Sequence, residues 1–307
     1  MIIGHEVPGG GERVVSRLIF SFHMPLFFIL SGYTSRPIVT FSYFQKKIKK
    51  SVLNIWLLAA VIVFVYCVEC LIFQPNFTLA AMIKQFVLGI FWGCNKLPIT
   101  NVTGTMWFMF AFFWSKLLYD LLQLFVPNKY NGFILLILAF ISFVFHKWLP
   151  QVIDLAPYGA LFMWLGWYMK VVIQKYQRSS NQARIVALSM VAIYWLTLVI
   201  KGVYIDMSVR HFPLFIVSIL EAFAGTIVIC KFSAFIQNEG CANWLKIIGR
   251  YTLSILCIHQ LDLYWVIWAK YFPRWYVAVI IRLIVDMVIF LVYLYLYRGF
   301  IINRSKD

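Results

Sequence analysis

The stretch VLNIWLLAAVIVFVYCVECLIF, Val52–Phe73, contains a single charged side chain, Glu69. A run of roughly 20 apolar residues is what an α-helix needs to cross a hydrocarbon core about 30 Å thick. No water reaches that core, so the backbone must satisfy its own hydrogen bonds, and the run reads as a helix. The rest of the chain repeats the pattern. Of 307 residues, 63% are hydrophobic and 12% are charged, against about 45–50% and about 25% in an ordinary globular domain. No soluble fold of this size has the interior to hide that surplus. A soluble enzyme, a disordered tail and a DNA-binding domain are excluded, and no nucleic acid is expected as a partner. The chain is all-α, a polytopic helical bundle in a lipid bilayer.

Apolar runs of spanning length cover residues 18–35, 52–73, 104–125, 131–148, 155–174, 185–205, 213–235, 246–268 and 275–297. They predict nine full transmembrane helices in one domain over residues 1–307. Phe86 to Trp92 is too short to cross and reads as an interfacial or re-entrant turn before the polar stretch Cys94–Thr103. Met1-Ile2-Ile3-Gly4-His5 looks like the tail of a first helix whose beginning is missing. It is too short for a span or a signal peptide. A late start or a truncation would each account for it.

The formal net charge is +16, with 27 Lys and Arg against 11 Asp and Glu. These cations fall in short connections rather than on one basic face. If the loop after the first full span is cytoplasmic, the inside connections carry Arg36, Lys46, Lys47, Lys49, Lys50 and eleven further cations, sixteen in all against nine in the outside connections. That bias is the one expected of a multi-pass cell-membrane protein, and it puts the C-terminus in the cytoplasm. The six cysteines give no disulfide framework. Cys67 and Cys70 form a lone CxxC inside a span, and no second pair is spaced to complete a four-ligand zinc site. They read as packing thiols, and no metal is expected.

Ionisable groups at membrane depth are costly, which makes each a functional candidate. His23 opens the first full span, His259 lies toward the outer side of the 246–268 span, and His5 ends the stub. The three converge on one leaflet, where neutral imidazole suits a general base for a hydroxyl nucleophile. The alternative is that each merely bonds a neighbouring helix or the interface, the commoner role for any one buried histidine taken alone. Asp262 shares a helix face with His259, and could fix its tautomer or neutralise it. Arg282 and Asp286, at i, i+4, read as an internal ion pair. Glu221 either faces a water-filled cavity or pairs with a cation from another helix. Ser31-Gly32-Tyr33 interrupts an apolar helix, and close helix packing alone explains Gly32. Arg36 and the Lys46–Lys50 cluster suit anionic lipid or a phosphate-rich ligand. The aromatics of TGTMWFMFAFFW, Thr103–Trp114, could line a groove, face lipid or fill the core.

FHMPLFFILSGY (Phe22–Tyr33) resembles the phenylalanine-pair, Ser-Gly signature of the membrane acyltransferase-3 family, especially its fucose 4-O-acetylase-like branch. TGTMWFMFAFFW is similar to the family's Gly-x-x-Trp-Phe stretch, and IGRYTLSILCIH (Ile248–His259) to its late helix. The three occur in family order, and the family's ten-helix core agrees with nine spans and a lost first helix. The resemblance implies transfer of an acyl group, usually acetyl, from cytosolic acyl-CoA to a hydroxyl of a saccharide or lipid-linked glycan of the envelope. Acetyl-CoA would be the donor. His5 matches the family's catalytic histidine, while its basic partner would precede Met1. On that footing His5 is the base, and His23 supports it as acid-base group or oxyanion donor. Arg36 and Ser31 take the CoA end, and Trp107 and His259 join the acceptor pocket. A glycan or lipid transporter or flippase, and an inactive truncated relative, are the competing readings.

Overall fold

The computed structural model describes residues 13–176, 180–236, 242–262, 271–272 and 274–304. Among these every regular element is helical, and one isolated bridge joins Asp206 to His211. Two compact units are distinguished, one spanning Gly11–Phe235 and one built on the residues from Ile236 onward.

The larger unit opens with α1 (Val14–Phe20) and α2 (His23–Thr34), followed by α3 (Phe41–Ser51), a π-helical turn (Val52–Trp56) and α4 (Leu57–Phe73). Next come α5 (Leu79–Phe91), a 3-10 turn (Gly104–Met106), α6 (Trp107–Phe125) and α7 (Asn128–Phe145). A second 3-10 turn (Pro150–Leu155) leads into α8 (Ala156–Tyr176), and α9 (Asn181–Ile200) and α10 (Ile216–Ile236) close the unit. The smaller unit holds α11 (Ala242–Arg250), α12 (Thr252–Asp262) and α13 (Trp275–Arg304). Side-chain caps mark several starts. Thr40, Thr78 and Ser180 accept the N–H groups of Tyr43, Ala81 and Ala183 at 3.3, 3.2 and 3.3 Å, each satisfying one orphan donor of a first turn.

Seven helical segments among the described residues are long and apolar enough to cross a membrane: Val14–Thr34, Phe41–Phe73, Gly104–Phe125, Asn128–Phe145, Asn181–Ile200, Ile216–Ile236 and Trp275–Tyr295. Nine were expected. The 155–174 run does form a helix, α8, but Pro157, Lys170 and Gln174 dilute its apolar character. The 246–268 run breaks at Tyr251 into α11 and α12, and residues 263–268 lie outside the described residues. The short turn expected at Phe86–Trp92 belongs instead to α5, a 13-residue helix.

Glycine decides how the larger unit packs. A Cβ on Gly32 of α2 would fall inside the backbone of Met163, and one on Gly166 of α8 inside that of Ile29. The two helices therefore meet backbone to backbone, as small residues permit. One face of α6 completes the contact, because Gly159 of α8 lies against both Ser115 and Phe28. Phe28 and Phe110 are fully buried. Phe27, Phe28 and Phe112 surround Phe108 with ring centroids 5.4–5.8 Å apart. The aromatics of Thr103–Trp114 are thus core.

The connection between α7 and α8 turns back into the bundle. His146, Gln151 and Val152 adopt left-handed backbone at φ 43°, 52° and 60°. Gln151 Oε1 accepts from Trp56 Nε1 at 3.1 Å and from Trp114 Nε1 at 3.0 Å, and Gln151 Nε2 donates to the Ile90 carbonyl at 3.2 Å. Trp114 stands seven residues into α6, roughly 10 Å along its axis. One glutamine amide thereby satisfies two indoles that an apolar interior would otherwise leave unpaired.

Candidate functional site

His23 opens α2, and Arg36 lies two residues past its last residue. They are 13 residues apart, roughly 20 Å at the helical rise. His23 is half-buried at the first residue, with Nδ1 3.0 Å from the Ile19 carbonyl and its ring edge-on to Phe20 at 5.0 Å. Phe20 also meets Tyr204 at 6.5 Å, and Tyr204 meets His211 at 4.4 Å. A chain of rings therefore joins His23 to the α9–α10 connection. Burial pushes the Tyr204 phenol above its ordinary value, Asp206 adds to that, and Arg17 offsets it. Arg17 is tied to the same connection through Nη1 and the Ile200 carbonyl at 3.4 Å.

That connection is built rather than loose. Ile205 and Met207 are buried, and Arg210, in left-handed backbone at φ 61°, turns inward to Asp154. Arg210 Nε and Nη2 donate to Asp154 Oδ2 and Oδ1 at 2.8 and 3.1 Å, while Nη1 donates to the Ser208 carbonyl at 2.8 Å. Its guanidinium lies 3.6 Å from the centre of the Trp148 ring. This is the bidentate geometry in which Arg and a carboxylate match best.

At the opposite end, Arg36 is exposed in an extended linker. Of the neighbouring lysines, Lys46, Lys49 and Lys50 are exposed, and Lys47 turns inward. Its Nζ donates to Asp120 Oδ1 and to Ser35 Oγ, both at 3.1 Å. Lys116 Nζ reaches Asp120 Oδ2 at 3.3 Å from one turn earlier on α6. Two ammonium groups thus share one carboxylate that is 3% exposed.

Of the other expected site residues, Ser31 is half-buried on α2 and Trp107 is buried at the first residue of α6, 6.2 Å from the Phe108 ring. His5 lies outside the described residues. His259, in the smaller unit, is 1% exposed, with Nδ1 3.2 Å from Asp286 Oδ2. Asp286 thus meets an imidazole, and Arg282 is buried one turn before it on α13. The side chain of Asp262 lies outside the described residues. Glu221 is fully buried, and neither carboxyl oxygen has a hydrogen-bond partner among the described residues. No cation pairs with it among the described residues.

Sequence reasoning passed over Asp120, Asp154, Arg210 and Gln151. Lys116 and Asp120 carried a usable signal, since opposite charges at i, i+4 inside an apolar run mark a shared polar face. The partners of Asp154 and Gln151 are 56, 95 and 37 residues away, beyond any local pattern.

These features define a multi-pass helical membrane protein with polar clusters at both ends of one central helix. The family model of the acyltransferase-3 domain matches residues 1–300, and the chain belongs to the acyltransferase-3 family. It is a membrane acyltransferase domain by that membership. No curated protein and no solved structure matches it.

Proposed function

We propose that the protein is a membrane O-acyltransferase that moves an acetyl group from cytosolic acetyl-CoA to a hydroxyl of an envelope saccharide or lipid-linked glycan. The family assignment carries the reaction class. The layout of α2 supports the donor, because an imidazole at one end and a guanidinium beyond the other suit a long molecule whose phosphates and thioester lie far apart. In the reaction, His5 takes the proton of the acceptor hydroxyl, with His23 in support. The oxygen attacks the thioester carbonyl, the carbon–sulfur bond breaks, and the leaving thiolate takes up a proton. Donors at the imidazole end stabilise the oxyanion that develops. Arg36 and Ser31 hold the CoA end, while Trp107 contributes to the acceptor pocket. Arg36 and the C-terminus then face the cytoplasm of the cell that carries the protein in its membrane.

The test uses membranes containing the protein and acetyl-CoA labelled in the acetyl group. Label is expected in the envelope glycan fraction, reduced at least a hundredfold by His5→Ala and by His23→Ala, on the order of a general-base contribution. Undiminished labelling in His5→Ala would take the base role from His5. Movement of glycan across the membrane with no label incorporated would replace transfer by transport.

A further inference from the structure

We infer that Lys47 and Lys116 form a phosphate-class anion site, and that the groove beside them takes the apolar part of the same ligand, the nucleotide end of the donor. The identity of the occupant rests on the acyl-CoA reading above, and the anion site rests on geometry alone. Two ammonium groups meet one carboxylate, Asp120, at 3.1 and 3.3 Å, so the three groups together retain one formal positive charge. The lysine side chains are only 16% and 15% exposed. A net cation held that far from water is costly unless an anion approaches it. Lys47 spends two of its three donors on Asp120 and Ser35, and each ammonium retains capacity for a further acceptor.

The groove is adjacent. It measures about 370 Å³ and runs between the linker residues Pro37 and Ile38 and the corner from Gln123 to Asn128. Gln123 stands three residues past Asp120 on α6, on the same helical face, and its Oε1 accepts the Ile38 N–H at 3.0 Å. That bond holds the linker against α6 and fixes one wall. A volume of this size accepts a small organic ligand, and its mostly apolar wall beside a net positive charge fits a flat base carrying phosphates. The exposed Arg36 precedes Pro37 in the same linker.

Adenosine 3′,5′-bisphosphate is the probe, titrated into the detergent-solubilised full chain and followed by thermal shift and calorimetry. Lys47→Met and Lys116→Met are each expected to weaken binding roughly tenfold to a hundredfold, the range for a hydrogen bond to a charged group. Lys47→Arg restores most of it, and Lys170→Met, an exposed charge on α8, changes nothing. Asp120→Asn supplies a readout with the opposite sign. It removes the competing anion, so the probe should bind several-fold tighter, which a merely structural ion pair would not produce. Unchanged affinity in Lys47→Met, Lys116→Met and Asp120→Asn, all folded by size exclusion, overturns the site. Stabilisation by phosphatidylglycerol nanodiscs but not by the probe, lost in the two lysine variants, overturns the nucleotide assignment in favour of a lipid headgroup. Normal acetyl transfer with no lysine dependence removes this site and leaves the donor reading intact. Lysine-dependent probe binding without acetyl transfer supports the site and removes that reading.

Discussion

Arg210 and Asp154 meet through two charge-assisted hydrogen bonds, 2.8 and 3.1 Å long, with both side chains about 5% exposed. The pair joins the α9–α10 connection to the 3-10 turn that opens α8, so it fastens two segments outside the α-helices that would otherwise rely on loop packing. Removing one partner leaves the other charge buried. Asp154→Ala is therefore expected to cost about 3–5 kcal/mol, while Asp154→Leu combined with Arg210→Met recovers most of it. Thermal unfolding of the solubilised protein reads both. A double variant as unstable as the single one would mean that Trp148 and Ser208, which also hold the guanidinium, depend on it for more than charge balance.

Gly32 is expected to tolerate no Cβ. Its neighbour there is the Met163 backbone, which cannot swing aside as a side chain tip would. Gly32→Ala should lower the melting temperature, with overpacking costing about 1–3 kcal/mol or more. Gly249→Ala is the contrast, because nothing lies within 4 Å of a Cβ at that helical position. It should leave stability unchanged or raise it by up to about 1 kcal/mol. Equal effects at the two positions would show that α2 and α8 do not meet as closely as described.

The fold was legible where length and polarity decide it. Val52–Phe73 announces a span because its 22 residues carry one charge, and it lies within the helical segment Phe41–Phe73. The extra length at its start is α3, whose lysines hid a helix that propensity alone would have allowed. Residues 246–268 look continuous by composition, yet the chain turns at Tyr251, and no apolar count registers a local backbone break. In the site, Gly32 was readable as a packing position, since small residues in an apolar helix have few other uses. Arg210 was not. It sits in a connection and reads as one more exterior cation until the fold brings Asp154 to it.

Cys94 is expected to be inert at neutral pH. It is 1% exposed in the polar stretch after α5, and burial pushes its thiol from 9.0 up to about 11, with Arg210 pulling it down and Asp154 raising it. Maleimide labelling should be slow in the folded protein at pH 7–8 and become fast on unfolding, since only the thiolate reacts. The same displacement predicts a stability slope. A thiol whose folded value lies above its unfolded value favours the fold while protonated, so its contribution is whole below about pH 9 and is lost as the pH climbs through about 11. Cys94→Ala should flatten the fall in melting temperature across that window. An identical slope in the variant would place the alkaline sensitivity on other groups.

Glu221 carries the opposite expectation from Asp154, because neither of its carboxyl oxygens has a hydrogen-bond partner among the described residues. Ser218, Ala222, Ala224 and Gly225 surround it along the buried face of α10, and none of them supplies a cation. A carboxyl so placed carries the cost of leaving water without a bond that offsets it, about 1–3 kcal/mol. Glu221→Leu should therefore raise the melting temperature, and Glu221→Gln should leave it near the parent value. The transfer assay then separates two reasons for the residue. Activity that survives in the stabilised Glu221→Leu protein makes the carboxyl dispensable to the reaction. Activity lost in Glu221→Leu and in Glu221→Gln alike, with the fold intact, shows that the carboxyl is kept for proton handling at the expense of stability. A lower melting temperature in Glu221→Leu would contradict the premise and require a bonded carboxyl.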